Sequence, residues 1–119
     1  MQALTVFSYS RCSTCRKALA WLTDHGFEVE VIDITVAPPS AELLRSALQQ
    51  FGELKKLFNT SGQSYRALGA STVKSMSDDQ AIQALAADGK LIKRPFVQCP
   101  DGTFLVGFKP EVWSESLSS

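Results

Sequence analysis

The 119-residue sequence has no net charge, one histidine, three cysteines and no long apolar run, and each shortage excludes something. Twelve Lys+Arg balance twelve Asp+Glu, so the basic excess that nucleic-acid wrapping or membrane-surface binding requires is missing. Neither direct nucleic-acid contact nor membrane association is expected. No apolar stretch approaches the roughly 20 residues needed to cross a bilayer. The opening Met1-Gln2-Ala3-Leu4-Thr5-Val6-Phe7 has no basic region before its apolar residues, so it reads as a strand and not as a secretion signal. Three cysteines fall short of the four or more of a secreted disulfide framework. The expected setting is a reducing cytoplasm, where paired cysteines do chemistry. A structural zinc site needs four ligands, and beyond the close cysteine pair only Cys99 and His25 remain, so no metal is expected. Internal repeats and low-complexity stretches are also absent.

What is present fits one globular domain over residues 1–119. Apolar residues make up 45% of the chain and charged residues 20%. A domain of this length buries roughly 65% of its unfolded surface and needs neither metal nor disulfide for a core. No exposed apolar face demands a dimer, and a monomer is expected.

Leu4 to Tyr9 is short, apolar and β-rich, and predicts a buried strand. Cys12 to His25 predicts a helix, with Cys15, Ala18, Leu19 and Leu22 at spacings of three and four and Gly26 as its stop. Phe27 to Ile34 predicts a second strand, completing a βαβ unit. Pro38-Pro39-Ser40 opens a further helix burying Leu44, Leu48 and Phe51, and short helical pieces follow at 54–58 and 64–68. Ser77-Asp78-Asp79-Gln80 fits a capping box for a helix through Ala87 that Gly89 ends, so residues 40–89 read as a helical insertion. Phe96–Cys99 and Thr103–Val106 flank Pro100-Asp101-Gly102 as a hairpin, and Pro110 starts a last helix carrying Val112, Trp113 and Leu117. The sum is an α/β domain of thioredoxin type with a mixed four-stranded sheet.

The chemically informative feature is Cys12-Ser13-Thr14-Cys15, at the junction of the first strand and first helix. Spacing of three along a helix sets the two side chains on one face, about 5–6 Å apart at Cβ, within reach of a small disulfide. Cys12 falls at the helix start, where unpaired amides and the positive end of the macrodipole favour a thiolate, the nucleophilic form. Arg11, Arg16 and Lys17 add positive charge nearby. The same helix start, with Ser13 and Thr14, can cradle an oxyanion facing Cys12. Lys93-Arg94-Pro95 precedes the hairpin, which in such a domain lies beside the first strand, and a cis bond at Pro95 is expected. Arg94 has two readings, a second cation for that anion or a solvated surface charge. His25 lies some 20 Å along the helix from Cys12 and reads as a cap, not a base. Cys99 at a strand end reads as a packed core residue.

Four segments together carry a family resemblance: Tyr9-Ser10-Arg11-Cys12-Ser13-Thr14-Cys15-Arg16-Lys17-Ala18, Leu57-Phe58-Asn59-Thr60-Ser61-Gly62, Leu91-Ile92-Lys93-Arg94-Pro95, and Val106-Gly107-Phe108-Lys109-Pro110-Glu111. In this order and over essentially the whole chain, they resemble the arsenate reductase-like family that includes ArsC proteins and Spx/MgsR-type proteins. The resemblance implies a thioredoxin-like fold with a helical insertion and Cys12 as nucleophile. In members that reduce arsenate, three arginines hold the oxyanion and glutathione with glutaredoxin resolves the adduct. Arg94 matches one of the three; Lys109 stands near another and keeps the charge without the bidentate fork. Asn59-Thr60-Ser61 offers no arginine for the remaining one, and Arg66 is a few residues away. The phosphatase-like class of arsenate reductases needs Cys-x₅-Arg and is excluded, because position 18 is Ala. Two functions follow from the resemblance. One is a thiol-disulfide oxidoreductase acting on arsenate or another small oxyanion. In it Cys12 attacks, Cys15 resolves, Arg11, Ser13, Thr14, Arg94 and Lys109 hold the anion, and glutathione/glutaredoxin or thioredoxin donates electrons. The other is an Spx-type redox-sensing regulator that binds the RNA polymerase α subunit, although the C-terminal Ser114–Ser119 lacks the basic character common in that branch.

Overall fold

The first strand, β1 (Leu4–Ser8), buries residues on both of its faces, as its β-rich run of apolar side chains dictates. The structure is a computed structural model and describes residues 3–117. From β1 the chain enters α1 (Ser13–Asp24), which ends at His25 and at Gly26, whose φ of 80° only glycine adopts without strain. It then forms β2 (Val29–Asp33), α2 (Ala41–Phe51), α3 (Gln63–Leu68), α4 (Ala70–Ser75), α5 (Asp78–Ala87), β3 (Phe96–Gln98), β4 (Phe104–Val106) and α6 (Pro110–Leu117). Single 3₁₀ turns occur at Leu54–Lys56 and Gly89–Leu91. Among the described residues, no helix is long and apolar enough to cross a membrane.

Two compact units emerge. One comprises the chain up to Ile32 and from Arg94 on; the other is Asp33–Lys93. The first carries the mixed sheet in the order β2-β1-β3-β4, with β1–β3 and β3–β4 antiparallel. Its register pairs Val6 with Val97 and Val97 with Leu105 on one face, and Phe7 with Phe96 on the other. On the first face Val6, Val97 and Leu105 pack with Ala18 and Leu22 of α1 and Trp113 of α6. On the second, Phe96 contacts Phe7 edge-on at 5.8 Å and Phe104 at 5.6 Å. Strand, helix, strand, hairpin and final helix thus follow in the order expected of a thioredoxin-like sheet.

The second unit is held by caps and a few buried side chains. Ser40 caps α2 through its hydroxyl, which accepts the Leu43 amide at 3.2 Å. The capping box at Ser77 is complete: its hydroxyl accepts from the Gln80 amide, and the Gln80 side chain accepts from the Ser77 amide. Several sequence expectations are corrected. The first strand stops at Ser8, one residue early. In α2 the buried pair is Leu44 and Ala47, while Leu48 and Phe51 are half-buried. The helix α4 follows α3 after a single residue, Gly69, at φ 93°, and no periodic signal announces it. Val112 faces outward, 46% exposed, and Trp113 takes the core position of α6. The helix α5 does end at Ala87 as expected, with Asp88 as its C-cap, and a Cβ at Gly89 just beyond would overlap the Ile34 carbonyl.

Candidate active site

Cys12 is the last extended residue before α1 and serves as its N-cap (φ −94°, ψ 113°). Its amide donates to the Tyr9 carbonyl at 3.0 Å, its carbonyl accepts the Arg16 amide at 3.1 Å, and its Sγ accepts the Cys15 amide at 3.3 Å. A thiol sulfur thus fills the place usually taken by a serine or aspartate oxygen, at the end of the helix where negative charge is favoured. Cys12 is half-buried, whereas Cys15, one turn further on, is fully buried. No disulfide joins any of the three cysteines.

The two thiols are driven apart. Burial alone pushes Cys12 up. Hydrogen bonds from the Cys15 thiol and amide, followed by the charge and hydrogen bond of Arg94, outweigh it and hold Cys12 below its ordinary value. Cys15 is pushed up to about 11 by burial first, and then by donating its own proton to Cys12 and facing its charge. The Tyr9 backbone and the Ser8 side chain bond Cys15 and oppose that rise.

Arg94 reaches this site through the sheet. The β1–β3 register pairs Phe7 with Phe96, so Tyr9, just past β1, and Arg94, just before β3, fall at the same end of the strand pair. The Arg94 guanidinium carbon lies 5.0 Å from the Tyr9 ring centroid, within cation–π range. Its Nη1 is buried without a hydrogen-bond partner among the described residues. The Arg94–Pro95 bond is cis and Pro95 is buried. Of the two sequence readings of Arg94, the solvated surface charge is the one these positions do not match.

The other candidates fall less centrally. Ser13 and Thr14 are the exposed first residues of α1, whose leading amides have no acceptor within the helix. Arg11, Arg16 and Lys17 are exposed, and Arg16 Nη1 donates to the Ser10 carbonyl at 2.6 Å, so the cation acting most on Cys12 is Arg94 and not this cluster. Lys109 is exposed, and its carbonyl accepts the Val112 and Trp113 amides, both at 3.0 Å, to start α6. His25 stacks on Trp21 at 4.0 Å with its Nδ1 2.8 Å from the Trp21 carbonyl, as a cap. Cys99 packs in the sheet core, and burial, the largest cause, raises its thiol. Among the described residues no three His, Cys, Asp or Glu side chains gather as a metal-ligand set. Tyr9, whose ring carries Arg94, and Ser8, whose side chain bonds Cys15, are neighbours of the pair to which the sequence reading gave no role.

The match to known proteins follows this geometry. The model of the ArsC family matches residues 7–116. A solved structure described as a possible arsenate reductase from Streptococcus mutans UA159 superposes with a TM-score of 0.83 at 46% identity, covering 92% of this chain and 93% of that one. The arsenate reductase of Escherichia coli is 31% identical over 106 residues, 88% of this chain and 74% of the relative. The regulatory protein MgsR of Bacillus subtilis (strain 168) is 26% identical over 110 residues, 92% of this chain and 86% of the relative. A capped thiol at the strand–helix junction, an arginine delivered beside it by the antiparallel hairpin, and a family match spanning both lead to one conclusion: the chain belongs to the ArsC family.

Proposed function

We propose that the chain is a thiol-disulfide oxidoreductase that reduces a small oxyanion, with arsenate as the reference substrate. The observation that carries this reading is the placement of two sulfurs one helix turn apart, Cys12 capping α1 with its Sγ 3.3 Å from the Cys15 amide and Cys15 fully buried, which holds the first thiol below its ordinary value and pushes the second up to about 11. In this reading the Cys12 thiolate attacks the pentavalent arsenic, an S–As bond forms, and an arsenate oxygen leaves as water with two protons. The adduct removes the negative charge and the acceptor that help raise Cys15, so the Cys15 proton is more easily lost at that moment. The Cys15 sulfur then attacks the Cys12 sulfur, the S–As electron pair goes to arsenic, and trivalent arsenic leaves. Two electrons and one disulfide are accounted for, and glutathione/glutaredoxin or thioredoxin returns the pair to thiols. The Arg94 Nη1 without a partner and the amides of Ser13 and Thr14 are the groups that hold the anion. Arg11 and Lys109 serve as outer cations.

Coupled oxidation of NADPH with arsenate, run separately with the glutaredoxin and thioredoxin systems, tests this. Turnover that Cys12→Ser abolishes and Cys15→Ser cuts strongly is the expected result. No turnover with either donor, together with capture of the RNA polymerase α subunit only by the oxidised chain, would replace the enzyme by a redox-sensing regulator.

A further inference from the structure

Residues 53–93 surround two adjoining cavities that the redox reading does not use. The first, of about 380 Å³, is rimmed by Lys55, Lys56 and Lys93, with Glu53 its one acid and Asn59 and Ser61 among its polar lining. The second, of about 460 Å³, is walled by Leu54, Tyr65, Val73 and Met76 with Lys74 beside them. Lys55, Phe58 and Thr60 line both, so the hollows share a wall. Each volume lies in the range of small-molecule sites, roughly 300–1,000 Å³.

The frame beneath them is fixed. Phe58 and Ile92 form an antiparallel bridge, the Asn59 amide donates to the Leu91 carbonyl and the Lys93 amide to the Leu57 carbonyl, each at 2.7 Å. Leu57, Phe58 and Ile92 are buried, and the lysines beside them are exposed. Among the described residues, none of the four ammonium groups of Lys55, Lys56, Lys74 and Lys93 is paired with a carboxylate. Four lysines against one acid make this surface locally basic in a chain of zero net charge. Ammonium groups act as point charges, and three of them around one hollow suit the nearly double charge of a phosphate monoester better than the single charge of a carboxylate. The adjoining wall is the opposite in character: Leu54, Tyr65, Val73 and Met76 are half-buried, and the Phe58 and Tyr65 rings meet edge to face at 5.9 Å. An aromatic body covers such a wall well.

We infer that residues 53–93 form an amphipathic site for a small phosphate monoester, its phosphate against Lys55, Lys56 and Lys93 and an aryl-sized body against Tyr65, Val73 and Met76. The site goes beyond the redox reading and uses none of Cys12, Cys15 and Arg94.

Amide chemical shifts of the full-length reduced chain, at fixed ionic strength, test it with phenyl phosphate, benzoate and inorganic phosphate as probes. Phenyl phosphate should shift the Lys56, Asn59, Val73 and Met76 amides together and saturably. Inorganic phosphate should move only the first two and bind about tenfold more weakly, as loss of one buried aromatic contact implies, and benzoate should also bind more weakly. Lys56→Gln/Lys93→Gln should weaken phenyl phosphate by about tenfold or more. Val73→Ser should remove the aryl preference and spare inorganic phosphate binding, and Cys12→Ser should change neither. Absence of a saturable shift, equal affinity for the two phosphates, or full affinity in the folded double-lysine variant would overturn the assignment. So would saturation confined to Ser13 and Thr14, which reports an anion at α1 instead.

Discussion

At the residue scale, one helix turn makes two identical side chains chemically different. Cys12 accepts hydrogen bonds and faces a guanidinium; Cys15 donates and is buried. The guanidinium in turn rests on Tyr9. Replacing Arg94 by Gln removes the charge but leaves both Cys15 bonds, so Cys12 should stay partly activated, with iodoacetamide alkylation at pH 7 slowed by about three- to tenfold. Tyr9→Leu should slow alkylation in the same direction through loss of Arg94 placement, and Tyr9→Phe, which keeps the ring, should restore the rate. A Tyr9→Leu rate equal to wild type would deny the ring any positioning role. The cysteine pair and its place at a helix start were legible because both depend on residues close in sequence. The role of Arg94 was half legible, since spacing cannot say which distant strand a cation will meet. Tyr9 and Ser8 were illegible for the same reason: their partners are set by the β1–β3 register and by packing under α1.

At the element scale, boundaries that depend on local chemistry and those that depend on distant contact behave differently. Ser77 and Gln80 satisfy each other's amides at the start of α5, an arrangement that their spacing alone announces. Ser77→Ala should therefore cost about 1 kcal/mol in urea denaturation, with the slope unchanged. Gly89 resembles a helix stop in sequence, but its smallness is required by the Ile34 carbonyl. Gly89→Ala forces a methyl against backbone that cannot rotate away, and should cost about 2 kcal/mol or more. Equal costs for the two variants would show that the chain shifts at 89 without effort. The same contrast explains α2 and α6. Helical spacing identified a buried face in each, but which of Ala47, Leu48 and Phe51, or of Val112 and Trp113, lies deepest is decided by what packs against them. The helix α4 left no periodic trace because Ala70–Ser75 carries one large apolar side chain, Val73, and buries no residue fully.

For the whole molecule, the buried thiols make stability depend on pH in a direction that can be worked out. Cys15 and Cys99 are both raised, burial being the first cause in each. A raised thiol is a proton that the native state keeps and the unfolded chain gives up. The stability it contributes is complete below the ordinary thiol value, about 8.5, and is lost as pH climbs. For Cys15 that loss extends to about 11. Cys12, being lowered, acts oppositely: its contribution is complete above the ordinary value and fades as pH falls through its lowered one. The reduced chain should thus be favoured by its cysteines most near the ordinary thiol value and lose that contribution on both sides. Other groups titrate in the alkaline range, so the discriminating quantity is a difference between proteins. Thermal midpoints of reduced wild type and reduced Cys15→Ala, measured from pH 8 to 11, should converge as pH rises, because the variant has no buried proton to surrender. Two curves that stay parallel across that window would mean that Cys15 ionises as easily in the folded chain as in the unfolded one, and the opposed protonation of the pair would go with it.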